Sequence, residues 1–201
     1  MTEVHDEVPP SGSWFAPSGR ASSADLQELA QLCLHNPIVK TVLDSVDGFV
    51  LILNNQRQIL AANPSVLQAL NVENGEYLLG VRPGEAFRCA YSAEGTDGCG
   101  TSKHCSTCGA VISILASQML SQPSNNECLM LVEQDGKLVS NEFAVRATPL
   151  VVEGQRLTVF VVHDISASKR RDLLENVFIH DLNNIITGLQ GWSELLSRRP
   201  G

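Results

Sequence analysis

The sequence predicts an α+β fold built on a five-stranded antiparallel sheet, with helices packed on one face of that sheet. Two observations lead to this prediction. Short apolar segments of strand length form a group of two and a later group of three, and helical stretches separate the groups. Turn-forming residues lie between consecutive segments within each group, as in antiparallel hairpins. The predicted strands are residues 48–53, 58–62, 127–133, 138–149 and 157–163.

The N-terminal part of the chain divides into a polar segment and two helices. Residues 1–22 are acidic and then rich in Pro, Gly and Ser, which predicts a disordered segment. Residues 23–45 carry apolar side chains at helical spacing, and an Asn-Pro dipeptide divides them into two capping helices. Cys33 lies on the apolar face of the first helix, so we expect it to pack in the core rather than bind a metal.

Residues 46–166 form the predicted sheet domain, and residues 167–201 form the helix that follows it. The first two strands are joined by an Asn-Asn-Gln turn. Asp-Gly and Glu-Gly turns separate the last three strands. Between the two groups of strands, the apolar spacing predicts helices over residues 64–70 and 109–120.

Composition and charge exclude several classes of function. The net charge of −8 argues against nucleic acid as a partner. No apolar stretch approaches the roughly 20 residues that a membrane-spanning helix requires, so we expect no membrane association. The N-terminus has neither the basic region nor the apolar region of a signal peptide. We therefore expect a cytoplasmic protein, in whose reducing compartment clustered cysteines indicate metal or redox chemistry.

Four of the six cysteines lie in the loop 89–108, with the spacing C-x9-C-x5-C-x2-C. Thiolates are soft ligands that suit iron–sulfur clusters and zinc. The candidate ligands are Cys89, Cys99, Cys105 and Cys108. A structural zinc site usually has two close cysteine pairs, whereas this loop has one. An iron–sulfur cluster, [2Fe–2S] or [4Fe–4S], is therefore the first candidate and zinc the alternative, with free thiols or a redox disulfide remaining.

Two further residues near the loop are possible participants. His104 is a possible replacement ligand, although we expect a loop residue without a metal. Cys128 begins a predicted strand and is a possible fifth thiol near the site. For this cysteine we expect buried packing.

The C-terminal helix carries an apolar heptad seam. Together with the amphipathic helix near Leu26–Cys33, this seam predicts a parallel homodimer. The seam residues are Phe178, Leu182, Ile185, Leu189, Trp192 and Leu196. His180 falls outside this seam, with Asp181 beside it and Asn184 one turn further on. An exposed imidazole can act as a nucleophile at neutral pH. A histidine that only packs between helices would instead face the seam.

Two stretches carry a resemblance to the PAS domain family. They are the hairpin DGFVLILNNQRQILAANPSV and the strand end His163-Asp164-Ile165-Ser166, and the resemblance covers roughly residues 38–166. The stretch RPGEAFRC…GCGTSKHCSTCGAV is similar to a cysteine-rich subgroup of sensory PAS domains. The last three cysteines of the loop also resemble the cysteine loop of vertebrate-type [2Fe–2S] ferredoxins.

The stretch HDLNNII, which begins at His180, resembles the H-box of sensor histidine kinases. That resemblance implies that His180 is the phosphoacceptor, that Asp181 acts as acid or base, and that Asn184 assists removal of the phosphoryl group. The sequence contains neither the return helix of the kinase hairpin nor a Gly-rich ATP-binding module. We therefore expect an ATP-binding kinase domain, in a longer protein or in trans, and a response regulator as partners.

Three functions follow from these observations. The first is the input region of a two-component histidine kinase that senses redox state, oxygen or nitric oxide. The second is a sensory domain that binds a small organic ligand, with zinc stabilising the cysteine loop. The third is a dimerisation module whose histidine is never phosphorylated.

Overall fold

The computed structural model describes residues 12–134 and 136–197, with side chains over 12–133 and 136–190. The chain forms two compact units that meet in sequence between Asp164 and Ile165. In chain order the longer elements are α1 (Ser23–His35), α2 (Pro37–Ser45), β1 (Phe49–Leu53), β2 (Ile59–Ala62), α3 (Pro64–Leu70), α4 (Pro83–Ala86), α5 (Gly109–Leu120), β3 (Ser124–Gln134), β4 (Lys137–Val152), β5 (Gln155–Asp164) and α6 (Ser166–Ser197).

The five strands form one antiparallel sheet in the order β2-β1-β5-β4-β3. The first and last strands, β1 and β5, therefore lie side by side inside the sheet, although about 100 residues separate them in sequence. This architecture confirms the predicted α+β class, including the N-terminal helices and the long C-terminal helix.

The side chains of β1 alternate between two hydrophobic cores, one on each face of the sheet. Leu51 and Leu53 point into the core that α3 and α5 cover, whereas Val50 and Ile52 point into the core on the opposite face. That second core contains residues of α1 and α2, among them the buried Leu26 and Cys33. The prediction of a dimer contact through this face of α1 is wrong, because the face is buried against the sheet. The two capping helices thus close the face that the domain's own helices leave open.

Asn63 explains why the chain turns at the end of β2. Its side-chain oxygen accepts the N–H groups of Val66 and Val50, at 3.3 and 3.1 Å. Its side-chain amide donates to the carbonyl of Gly48 at 2.9 Å. One side chain therefore caps α3 and fastens it to β1, and Pro64 at the first helical position supplies the required φ.

The prediction of disorder for residues 1–22 is wrong for residues 12–22. Trp14 and Ala16 donate backbone hydrogen bonds to the carbonyls of Thr101 and Gly100, at 3.0 and 2.9 Å, and Ala16 is fully buried. Backbone pairing with the cysteine loop orders a segment whose content of Gly, Ser and Pro is typical of disorder. Residues 1–11 lie outside the part of the chain that the structure describes.

Four short helical segments, of four or five residues, lie in the stretch that the sequence predicted as loop. They are Gly75–Leu78, Pro83–Ala86, Ala90–Ala93 and Lys103–Thr107. A single helical turn has too few residues to show apolar periodicity, and its stability comes from tertiary contacts. Apolar periodicity therefore could not reveal these segments, and Pro83 and Glu85 are a local helix-start signal for one of them.

Helix α6 forms the second unit, and its 32 residues include many exposed apolar side chains. In the predicted seam, Phe178, Leu182, Ile185 and Leu189 are 41–64% exposed. The side chains of Trp192 and Leu196 lie outside the described part of the structure. Within the described residues, no helix combines the length and apolar character needed to cross a bilayer.

Replacing Ile52 with Ala should lower the free energy of unfolding by about 2–5 kcal/mol. Ile52 lies on β1, and its side chain is fully buried in the core that the capping helices cover. Urea denaturation measures this change. Val151→Ala is the control, since Val151 is 66% exposed on β4 and its replacement should cost less than about 1 kcal/mol. Equal losses in both variants would contradict the assignment of the second core.

Candidate functional site

The first part of the cysteine loop packs tightly around α4. Cys89 donates its backbone N–H to the carbonyl of Gly84 at 2.7 Å and forms an isolated bridge with Val132 of β3. A Cβ atom at Gly84 would lie 2.6 Å from the sulfur of Cys99 and 3.5 Å from the Cβ of Cys89. Glycine at position 84 therefore allows two of the four candidate ligands to approach the same turn of backbone.

The second part of the loop places Cys108 at the start of α5, against the edge strand β3. A Cβ atom at Gly109 would lie only 1.9 Å from the backbone oxygen of Glu127, so the start of the helix touches the strand backbone. The neighbouring residue on that strand is Cys128, and its sulfur lies 3.6 Å from the sulfur of Cys108. Cys128 is buried, as expected, and it is also the direct neighbour of a candidate ligand.

Five cysteines line one cavity of about 260 Å³ between the loop and the sheet. They are the four candidate ligands Cys89, Cys99, Cys105 and Cys108, together with Cys128. Apolar side chains from α5 and the sheet form much of the remaining wall, including Ile114, Met130 and Phe143. The structure thus brings the four predicted cysteines to one place.

The thiols line the wall of this cavity rather than converging on one point. Within the described residues, no group of three or more His, Cys, Asp or Glu side chains is close enough to hold a metal ion. A single zinc ion requires every ligand sulfur at about 2.3 Å from its centre. The spacing of the thiols leaves room for a larger group in the cavity.

Burial keeps most of these thiols protonated. It raises the pKa of the Cys99 thiol to about 12 and also raises the pKa values of Cys89 and Cys105. Cys108 differs, because its hydrogen bond with Cys128 and the N–H groups at the start of α5 lower its pKa. A metal that binds here must therefore displace protons from the other ligands.

The guanidinium of Arg82 is fully buried beside the cavity and connects the cysteine loop with two other segments. It donates to the carbonyls of Gln56 and Gly19 at 3.1 and 2.7 Å. It also donates to the carbonyl of Cys99 at 3.3 Å, and to the carbonyl and the carboxylate of Asp97, the latter at 3.0 Å. Each guanidinium nitrogen of Arg82 thus has a hydrogen-bond partner, as a buried cation requires.

A second arginine, Arg20, fastens residues 12–22 to the same loop. It pairs with Glu85 at 2.6 Å and with Asp97 at 3.1 Å. Burial acts to raise the pKa of Glu85, but hydrogen bonds from Arg20 and from the backbone of Arg82 and Cys99 hold it below its usual value. Burial likewise opposes the lowering of the Asp97 pKa, which hydrogen bonds from Gly19 and Arg20 bring about.

His104, a possible ligand from the sequence, and Cys33, expected to pack rather than bind a metal, have clear positions. The ring of His104 stacks on Tyr91 with centroids 4.0 Å apart, and its Nε2 lies 3.4 Å from Oε2 of Glu94. His104 is therefore a partnered loop residue at the wall of the cavity. Cys33 is buried on the opposite face of the sheet and does not line the cavity.

The second candidate site lies on α6, in the other unit. The side chain of His180 is 74% exposed. Its Nδ1 lies 3.2 Å from Nδ2 of Asn184 and 3.5 Å from Oδ1 of Asp181. Both polar neighbours meet the same ring nitrogen, so Nε2 is left without a hydrogen-bond partner among the described residues.

The buried arginines and the docking of residues 12–22 are features that sequence reasoning missed. Arg82 stands in an Arg-Pro-Gly-Glu stretch, where Pro and Glu are typical of a helix start. That pattern signals α4 but says nothing about burial of the arginine. Only the segments that surround Arg82 in space determine its burial.

Solved PAS domains are similar to this structure at low sequence identity. The PAS domain of HTR-like protein from Haloarcula marismortui is 17% identical with a TM-score of 0.39, and the match covers 71% of this chain and 96% of that one. The PAS domain of BvgS from Bordetella pertussis is 13% identical with a TM-score of 0.41, covering 73% and 96%. A PAS domain from a two-component sensor histidine kinase is 10% identical with a TM-score of 0.39, covering 71% and 99%. No protein-family model and no curated protein matches the sequence.

Acid should release residues 12–22 from the cysteine loop. The folded-state pKa values of Glu85 and Asp97 lie below their ordinary 4.5 and 3.8, so their ion pairs stabilise the loop above those values. That stabilisation is lost as the pH falls through the lower folded-state values. The measurement is fluorescence of Trp14 in a Trp192→Phe chain, where it is the only tryptophan, and emission should shift to longer wavelength.

Glu85→Gln should show this longer-wavelength emission already at neutral pH, because the pairing of Arg20 with the Glu85 carboxylate is gone. Glu153→Gln is the matched control, since Glu153 lies exposed in the turn between β4 and β5. An emission maximum that stays constant down to pH 2, or that moves equally in both variants, would contradict this role of the ion pairs.

Proposed function

We propose that this chain is the PAS sensory input region and part of the phosphoacceptor region of a two-component histidine kinase. It holds an iron–sulfur cluster through Cys89, Cys99, Cys105 and Cys108 and responds to redox state, oxygen or nitric oxide. The observation that carries this proposal is that all four thiols line the same cavity. The chain alone is not an active kinase, because the ATP-binding domain is supplied by a longer protein or in trans.

The dimensions of the cavity favour a cluster over a single zinc ion. A volume of about 260 Å³ far exceeds that of one ion, and the thiols are dispersed around it. Four cysteines are the usual ligand set of both [2Fe–2S] and [4Fe–4S] clusters. When bound, such a cluster supplies reversible one-electron chemistry and a centre that reacts with oxygen or nitric oxide.

The residues of the chain supply the environment of that group. The apolar wall that includes Ile114 and Phe143 excludes water, and residues 12–22 cover the loop from outside. Buried guanidinium groups beside the cavity offset the negative charge of thiolates. These features suit a group that must be protected until a small oxidant or a dissolved gas reaches it.

A row of paired residues links the cavity with the start of the output helix. Cys128 on β3 pairs with Phe143 on β4, and Phe143 pairs with Asp164 at the end of β5. Cys128 and Phe143 both line the cavity, and α6 begins two residues after Asp164. We infer that a change in the cysteine loop shifts this row and thereby alters the presentation of α6 in a parallel dimer.

Each of Cys89→Ser, Cys99→Ser, Cys105→Ser and Cys108→Ser should reduce the bound iron several-fold, because each removes one ligand. The measurement is iron, sulfide and zinc analysis of anaerobically purified protein, together with its absorption spectrum. The parent should be brown and contain iron and sulfide.

Cys33→Ser is the matched control, because Cys33 is also a free thiol inside the protein but lies on the opposite face of the sheet. It should keep its iron. If Cys128→Ser lost the iron while Cys108→Ser retained it, the fourth ligand would be Cys128. A colourless parent that contains zinc would contradict the cluster.

The alternative function is a sensor of a small organic ligand with zinc stabilising the loop. The apolar walls of the same cavity favour this candidate, since apolar walls with a few polar groups are typical of ligand pockets. Zinc in place of iron and sulfide in the purified parent, together with a co-purifying organic molecule, would support it.

The output of the domain is proposed to be phosphorylation of His180. The imidazole is exposed, and Asn184 and Asp181 contact its Nδ1, which leaves Nε2 as the nucleophile. The exposed apolar side chains of α6 would be buried by a second copy of the helix, which supports a parallel homodimer. A response regulator would then accept the phosphoryl group.

His180→Gln should abolish labelling by radioactive ATP when a histidine kinase catalytic domain is added. The label in the parent should be acid-labile, as expected for phosphohistidine. His35→Gln is the control and should label like the parent, because His35 is exposed on α1, outside the output helix. Persistent label in His180→Gln would favour a dimerisation module without a phosphoacceptor role.

A further inference from the structure

Arg57 presents a buried charge that the protein itself does not satisfy. The residue is only 3% exposed and lines the cysteine cavity. One nitrogen of its guanidinium donates to the carbonyl of Pro17 at 2.9 Å. Its Nε is buried without any hydrogen-bond partner among the described residues. An unpaired donor on a buried cation is costly, because water is lost and nothing replaces it.

The neighbouring carboxylates are already engaged with other arginines. Asp97 pairs with Arg82 and Arg20, and Glu85 pairs with Arg20. No ion pair joins Arg57 to a carboxylate within the described residues. Its excess positive charge therefore faces the cavity, where the remaining groups able to carry negative charge are thiols.

The guanidinium of Arg57 lies against the backbone of Gly100, close to the candidate ligands. A Cβ atom at Gly100 would lie 3.2 Å from both Nε and one terminal nitrogen of Arg57. Gly100 directly follows the candidate ligand Cys99 in the chain. Burial and the nearby charge of Arg82 lower the pKa of Arg57 to about 10, while Cys99, Asp97 and Cys105 act in the opposite direction.

The backbone at Arg57 is also unfavourable for an arginine. Its φ is +65°, in the left-handed region that glycine and asparagine adopt more readily. The β1–β2 turn therefore holds a strained residue whose Nε has no hydrogen-bond partner among the described residues. Strain of this kind, together with an unsatisfied buried donor, points to a role in binding.

We infer that Arg57 is a positioning residue for the group held by the cysteines, donating from Nε to a sulfur of the metal–thiolate centre and supplying its counter-charge. This inference rests on the proposed cluster. Hydrogen bonds and positive charge stabilise the more negative, reduced state of such a centre, so Arg57 raises the reduction potential. Arg82 differs because its donors are taken by backbone and carboxylate oxygens, and its role is to hold the loop.

The test is a reductive titration of anaerobically purified protein with dithionite and redox mediators, followed by electron paramagnetic resonance. Arg57→Gln should retain most of its iron but shift the reduction equilibrium about tenfold toward the oxidised state, about 59 mV for a one-electron couple. Arg57→Lys, which keeps the charge and loses Nε, should shift it less. Arg156→Gln, which removes an exposed arginine on β5, should leave it unchanged.

A second measurement separates positioning from a structural role. In metal-free protein, Arg57→Gln removes an unpaired buried charge, so the urea midpoint should not fall, whereas Arg82→Gln should lower it. A parent without iron and sulfide overturns both the proposed function and this inference. An iron-containing Arg57→Gln with the parent's potential overturns this inference alone, as does a variant that loses iron and metal-free stability together.

Discussion

The buried guanidinium of Arg82 is the interaction on which the cysteine loop depends. The guanidinium has no contact with solvent, so its N–H groups must donate to oxygen atoms of the protein. These oxygens come from three separate segments, at Gly19, at Gln56 and between Asp97 and Cys99. Because a buried cation is tolerated only when its donors are paired, these segments are held together or released together. The backbone of Cys99, and with it the thiol, takes its position from this constraint.

The charged residues around the cavity fall into two groups, those that pair with each other and Arg57, which pairs with no carboxylate among the described residues. Glu85 and Asp97 are matched by Arg20 and Arg82, which leaves the scaffold neutral and well hydrogen-bonded. Arg57 remains as an excess cation at the cavity wall, beside thiols that burial keeps protonated. A metal–thiolate group with negative charge would relieve both conditions at once, since it removes the thiol protons and pairs the cation.

The sheet is the element through which the proposed signal would leave the cavity. Its central strand β5 is hydrogen-bonded on both sides, to β1 and β4, and the chain continues from its last residue into α6. The cavity touches the sheet at β3 and β4, which pair with each other and then with β5. In the proposed mechanism, a change in the cysteine loop would act on this continuous hydrogen-bonded ladder rather than on an isolated surface.

The strands, α5 and the long C-terminal helix were all predictable, because alternating or helical apolar spacing is a local property of the chain. The cysteine spacing likewise indicated a shared site before any fold was known. The docking of residues 12–22, the burial of Arg57 and Arg82, and the contact of Cys128 with Cys108 were decided only by the tertiary structure. These features share one physical reason, which is that the contacting residues are far apart in the sequence. The hydrogen-bond partners of Arg82 lie 15 to 63 residues from it, and Cys128 lies 20 residues from Cys108. A local sequence pattern therefore cannot reveal these contacts.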